Sequence, residues 1–201
     1  MKKRILYLVA VLCTVPILAF VILFSARRVE SSPLKTLWPL PAFSLSERSG
    51  KSISLADLKG KVWIANFIFT SCSEQCPMLT TNLKRFSAKT QDIESLRVVS
   101  FTVDPKRDTP KVLSDYADKL GADKKRWFFV TGSATALTAL IAQGFKVSAE
   151  TGDGSAASVT HSAHLVLVDK KGNLRGYYDG MDNGRVDELI KDVRLLAREA
   201  D

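Results

Sequence analysis

The stretch KVWIANFIFT (61–70) has no charge after Lys61 and is rich in aromatic and β-branched residues. It reads as a strand buried on both faces. Such a strand needs neighbours on either side and a layer of helices above and below, which commits the chain to an α/β domain. Two further runs, LRVVSFTVD (96–104) and RWFFVTG (126–132), have the same character. Helical segments separate them. After the first run, PMLTTNLKRFSAKT shows apolar spacing at Met78/Leu79, Leu83 and Phe86, which predicts a helix with these residues in the core. DTPKVLSDYADKLG (108–121) carries its own punctuation, with Thr109 or Asp108 as N-cap, Pro110 at the first helical position and Gly121 beyond the end. SATALTALIAQGF (133–145) is a helix capped by Ser133. FSLSERSGKSISL (43–55) is a hairpin around Gly50, and HLVLVDKKGNLRGYYDG (164–180) a second one turning at Lys171-Gly172. ETGDGSAAS (150–158) reads as a flexible loop, and RVDELIKDVRLLARE (185–199) as a closing amphipathic helix.

The N-terminus is of a different kind. MKKR is followed by ILYLVAVLCTVPILAFVILF (5–24), which has no charge. Twenty residues at about 1.5 Å each span a bilayer core of roughly 30 Å. The run is longer than the apolar region of a cleaved signal peptide, and no small-x-small site closes it. Leu12 precedes Cys13 where a lipoprotein acceptor would need a small residue. The expected organisation is a membrane anchor at 1–28, a linker at 29–41 containing Pro33, Pro39 and Pro41, and a folded domain at 42–201. Lys2, Lys3 and Arg4 with the α-amine outweigh Arg27 and Arg28. The N-terminus is therefore expected in the cytoplasm and the domain in the periplasm, on a single-pass inner-membrane protein. The net charge of +8 divides into five Lys/Arg and one acid in residues 1–30, against 24 and 20 in the rest. That is an ordinary surface, and no basic run is interleaved with aromatics, so nucleic-acid binding has no support.

Of three cysteines, Cys13 lies in the apolar span; only Cys72 and Cys76, in FTSCSEQCPMLT, belong to the domain. They follow the first buried strand directly, at the end where open α/β folds place their sites. Cysteines at i and i+4 of a helix entrance share a face, and a helix N-terminus favours the thiolate. A thiolate is both ligand and nucleophile, so the pair is open to metal binding, to redox exchange or to a structural disulfide. A disulfide closing so short a loop stabilises little. The only histidines are His161 and His164, in VTHSAHLVLVD. Three apart on a strand, they face opposite sides, so one of them can address the cysteines. His161, at the strand's mouth, is the candidate ligand and His164 a structural residue. Two thiolates and one imidazole form a soft set suited to Cu(I), adaptable to Cu(II), and open to Zn(II) with a fourth ligand. All seven prolines lie at or before Pro110. The proline that thioredoxin-like oxidoreductases place beside their cysteine pair, near 155–165 here, is therefore missing, and His161 occupies that neighbourhood.

Taken together, FTSCSEQCPMLTTNL, VDPKRDTP (103–110) and THS (160–162) before a strand and a Lys-Gly turn resemble the SCO/SenC family over roughly 40–198. The resemblance implies a thioredoxin-like domain, with a central mixed sheet flanked by helices, behind one N-terminal transmembrane helix. It also implies copper held by Cys72, Cys76 and His161. The implied role is delivery of copper to the binuclear copper centre of a cytochrome c oxidase subunit, supplied by an upstream copper donor and a thiol reductant. The chain departs from the family at Thr160, where Asp is usual, and at the polar Ser73-Glu74-Gln75. The alternative function is a thiol–disulfide oxidoreductase in which Cys72 attacks and Cys76 resolves; a peroxidase ranks third. Asp104 and Asp108 are candidates for contact with the site.

Overall fold

The computed structural model describes residues 34–71, 76–147 and 163–199. Within them the chain forms β1 (Ser44–Glu47), β2 (Ser52–Ser54), β3 (Val62–Ile68), α1 (Cys76–Lys89), β4 (Leu96–Thr102) and α2 (Pro110–Leu120). Then come β5 (Trp127–Thr131), α3 (Ala134–Ala139, continued by a π turn over Leu140–Gly144), β6 (His164–Val168), β7 (Leu174–Asp179) and α4 (Asn183–Arg198). The strands make one mixed sheet in the order β2-β1-β5-β4-β3-β6-β7. β3, β4 and β5 are parallel, and the outer pairings are antiparallel.

β3 is near the centre, and all seven of its residues are buried. Its alternate side chains feed two cores. Val62 and Ile64 join Leu165 and Leu167 of β6 beneath α1, α2 and α4. Trp63, Ala65 and Phe67 join Val166 and Val168 on the opposite face, under α3 and the β1–β2 hairpin. This period of two, filled by large apolar groups on both faces, is why the run contains no charge.

The helix ends follow the punctuation of the sequence. Thr109 accepts a hydrogen bond from the Val112 amide, Pro110 opens α2, and Gly121 closes it at φ 67°. Ser133 caps α3 through the Ala136 amide at 3.2 Å. α4 starts two residues before the expected Arg185. Asn183 and Gly184 are weak helix formers, but Asp182 accepts from the Gly184 and Arg185 amides at 2.6 and 3.2 Å and draws them in. In α1, Leu79, Leu83 and Phe86 are buried as expected, whereas Met78 is 49% exposed. Leu79, one position on, already fills the inward face. α1 and α4 are clasped by Asp187, which accepts from Arg85 at 2.5 Å and Lys89 at 2.9 Å. The Lys89 hydrogen bond, then that of Arg85, holds the Asp187 carboxyl below its usual range.

Residues 34–41, part of the expected linker, are extended but lie against the domain. The Leu37 amide donates to Leu174 O, and the Leu174 amide to Trp38 O, both at 2.9 Å. Trp38 donates its indole N–H to Gly144 O at 3.0 Å. Its ring also meets Tyr177, at 6.2 Å between centroids, and carries the Lys146 ammonium at 4.0 Å. Lys146 has φ 50°, a left-handed conformation unfavourable for lysine, and its stacking on Trp38 offsets part of that cost. Among the described residues no helix is long and apolar enough to cross a membrane; the expected span at 5–24 and the loop at 150–158 lie outside them. Trp38→Ala removes the ring contacts and the hydrogen bond together. It is expected to cost about 2 kcal/mol of unfolding free energy by chemical denaturation of the full chain.

Candidate metal centre

Cys76 is the first residue of α1; Cys72 and His161 lie outside the described residues. What the structure describes is how the segments leading to them are brought together. Phe69, Thr70 and Ser71 carry the chain from the end of β3 towards Cys72. β6 is antiparallel to β3, with Trp63 opposite Val168 and Ala65 opposite Val166. Continuing that register sets His164 level with Phe67, so the chain enters β6 at the end of the sheet where β3 leaves it. Ala163, two residues after His161, precedes that first strand residue.

The approach to Cys72 is held by Asp108. This aspartate is fully buried, as is Thr102. Its carboxylate accepts from the Thr70 hydroxyl at 2.5 Å, from the Thr70 amide at 3.2 Å, and from the Thr102 hydroxyl at 2.5 Å. Thr102 in turn accepts from the Asp104 amide at 3.0 Å. The ends of β3 and β4 and the start of α2 are thereby tied to one carboxylate, two residues from Cys72. Because Thr109 serves as the cap of α2, Asp108 is left free to turn inward. Asp104 points elsewhere, accepting from Arg107 at 3.1 Å at the surface. Of the two aspartates singled out in VDPKRDTP, Asp108 therefore supports the cysteine segment and Asp104 shapes the turn.

His164 is exposed and edge-on to the Tyr177 ring, 6.2 Å between centroids. Strand parity places it with Val166 and Val168, away from the face that α1 covers. Tyr177 donates its hydroxyl to Phe145 O at 2.5 Å, and burial pushes its pKa up to about 12. Tyr178 lies beneath α4 and donates to Asp192 at 2.5 Å. Burial first, and that bond second, raise its pKa. Neither phenol is an available acid at neutral pH. Among the described residues no three His, Cys, Asp or Glu side chains converge as a metal site. Thr70 and Thr102 went unnoticed in the sequence. A faint signal was present for Asp108, an acid beside a better-placed cap, but its burial depends on β3 and β4 meeting.

Residues 39–198 match the SCO1/SenC family. The chain is 34% identical over 157 residues to the SCO1 protein homolog of Bacillus subtilis (strain 168), covering 76% of this chain and 79% of the relative. It is 31% identical over 180 residues to a Stutzerimonas stutzeri protein named for copper binding, covering 87% and 86%. Among solved structures it resembles BsSco, described as a member of the Sco family of cytochrome c oxidase assembly proteins with a disulfide switch. The TM-score is 0.72 at 31% identity, over 82% of this chain and 96% of that one. The mixed sheet with flanking helices is the thioredoxin-like architecture of these structures.

Asp108→Ala leaves two buried hydroxyls and an amide without their acceptor, and is expected to destabilise the full chain by about 3 kcal/mol. Asp108→Asn is expected to cost less, since one threonine hydroxyl can rotate to accept. Denaturant unfolding measures both, and amide exchange should show Thr70 losing protection.

Proposed function

The chain belongs to the SCO1/SenC family, and on that premise we propose that it is a copper metallochaperone delivering copper to the binuclear copper centre of cytochrome c oxidase during assembly. Copper is the cargo, and Cys72, Cys76 and His161 are its ligands. The observation that carries this reading is the meeting of three chain segments at one end of the sheet. Thr70 stands two residues before Cys72, Cys76 opens α1, and Ala163 follows His161 by two residues. The donor chemistry fits: two thiolates and an imidazole form a soft set for Cu(I) that also accommodates Cu(II). Asp108 is engaged by Thr70 and Thr102, so in this reading it supports the approach to Cys72 and is not itself a ligand.

The thiols must be reduced to bind. Oxidation of Cys72 and Cys76 to a disulfide removes both sulfur donors, so a thiol reductant belongs to the cycle beside an upstream copper donor. Residues 5–24 anchor the chain in the inner membrane as a single span, with the domain in the periplasm facing the oxidase subunit that receives the metal. This placement rests on the length of the apolar run and on the charges flanking it. The thiol–disulfide oxidoreductase reading uses the same sulfurs on the cysteines of the copper centre, and the disulfide switch described for BsSco favours keeping it as the second reading.

Titration of the reduced full-length chain with Cu(I) against a competing chelator tests the proposal. About one copper per chain is expected to bind, with binding lost in Cys72→Ser and Cys76→Ser. His161→Ala is expected to weaken affinity by about 10-fold or more, at least the size of an outer-shell loss. Parental affinity in His161→Ala would sink the three-ligand site. Disulfide-reducing turnover that survives His161→Ala and disappears in Cys72→Ser would favour the oxidoreductase.

A further inference from the structure

We infer that the end of the sheet at which β3, β4 and β5 begin carries a binding pocket for a small phosphate-bearing anion. The pocket is a cavity of about 360 Å³ lined by the β1–β2 hairpin, the short helical turn Ala56–Leu58 and the starts of those strands. Lys61 precedes β3, Arg97 is the second residue of β4, and Lys125 and Phe128 lie on either side of Trp127, where β5 starts. Lys51 stands at the entrance to β2. Trp63 is opposite Arg97 in the β3–β4 register, and Val99 opposite Phe128 in the β4–β5 register. Lys61, Arg97 and Phe128 therefore share the face whose core contains Trp63 and Val99. The cavity is the charged rim of that core, with buried Ile53 and Leu58 in its wall. None of these residues belongs to the segments that carry the cysteines or His161, so the pocket stands or falls apart from the copper reading.

The charge around the cavity is unbalanced. Four cations, Lys51, Lys61, Arg97 and Lys125, line it against two acids, Glu47 and Asp57. Both acids are already engaged. Glu47 is buried, accepts from the Ser49 amide at 2.7 Å and lies 3.5 Å from Arg48 Nε. Asp57 accepts from the Ser54 hydroxyl at 2.6 Å and the Ser54 amide at 2.8 Å, and these bonds hold its carboxyl below the usual range. Among the described residues no carboxylate pairs with the ammonium of Lys51, Lys61 or Lys125. Arg97 commits Nη1 to the carbonyls of Glu94 and Leu96, at 2.7 and 2.8 Å, which holds the guanidinium without neutralising it. Burial first, and the charge of Arg126 second, push its pKa down. An anion in the cavity acts in the opposite sense. A recess lined by one sign of charge also concentrates counter-ions. The excess of two positive charges matches a phosphate monoester, which carries close to two negative charges at neutral pH, and lysine is a common phosphate ligand. Phe128, Ile53 and Leu58 offer apolar cover to the organic group that the phosphate carries. The volume suits such a molecule better than a bare oxyanion, because small-molecule sites run from about 300 to 1,000 Å³.

Isothermal titration of the full-length chain in a neutral detergent tests the pocket with three probes: glycerol phosphate, glycerol, and a short-chain phosphatidylglycerol kept below its micelle concentration. Glycerol phosphate is expected to bind saturably, at about one per chain, and glycerol not at all. Lys61→Gln and Lys125→Gln are each expected to weaken that binding about 5-fold to 10-fold, the loss of one hydrogen bond to a charged group. Lys106→Gln, in the segment that follows β4 at the other end of the sheet, is expected to leave it unchanged. Phosphatidylglycerol that binds through the same lysines more tightly than glycerol phosphate identifies a lipid headgroup as the source of the phosphate; weaker binding identifies a soluble phosphate ester. If neither phosphate probe binds saturably, or if both lysine variants bind as the parent does, the pocket proposal is overturned. Equal loss in Lys106→Gln also overturns it, since that is an effect of net charge alone.

Discussion

β3 has a parallel neighbour on one side and an antiparallel one on the other, and the site depends on that asymmetry. Parallel pairing with β4 requires a crossover, and α1, which begins at Cys76, lies in it between β3 and β4. Antiparallel pairing with β6 means that β6 begins where β3 ends. A parallel β6 would start at the opposite end, seven residues or about 23 Å away at 3.3 Å per residue. The mixed sheet thus brings together segments that flank Cys76 and His161, more than eighty residues apart in sequence. The burial of β3 on both faces makes this register costly to slip, because a one-residue shift would exchange the two cores.

On that frame the two segments leading to the candidate donors are each held by a buried polar group in an otherwise apolar setting. Asp108 holds Thr70 just beyond the end of β3, and Asn82 holds Gly180 and through it Ala163. In a medium of low dielectric such bonds are strong, and an unmade partner is expensive, so each clamp tolerates little displacement. Apolar contacts could bury the same area without fixing direction. A hydrogen bond fixes direction as well as distance, which is what a ligand-bearing segment needs.

Much of the fold was legible because its elements are locally self-consistent. The charge-free run predicted β3, Thr109-Pro110 and Gly121 bounded α2, and Gly50 and Gly172 marked the turns, with φ 82° and 86°. The errors came where tertiary contacts decide. Met78 fits the apolar spacing of α1 yet is half exposed, because periodicity does not say which of two adjacent apolar residues takes the core. Asn183-Gly184 belong to α4 because a cap outweighs their propensity. Residues 34–41 are rich in proline and extended, as a linker should be, but Trp38 and Leu40 find cover on β7 and the π turn. For the site, the motif spacing pointed to the two cysteines and His161, while the supporting residues were hidden. Thr70, Thr102, Asn82 and Gly180 are ordinary in sequence, and their roles exist only once distant strands and helices are in contact.

The same arrangement bears on whether the CxxxC pair serves metal or redox chemistry. Both uses need thiolates at the entrance of α1, so the sulfurs alone do not separate them. The difference lies across the sheet edge, at the segment entering β6. An oxidoreductase of this architecture would present a proline there; this chain has no proline after Pro110 and places a histidine in that segment. In sequence the cysteines follow Thr70, which Asp108 holds, and the histidine precedes Ala163, which Gly180 holds. On that proposal the sulfur donors and the imidazole belong to separate segments, and two thiolates alone already make a soft donor pair for Cu(I).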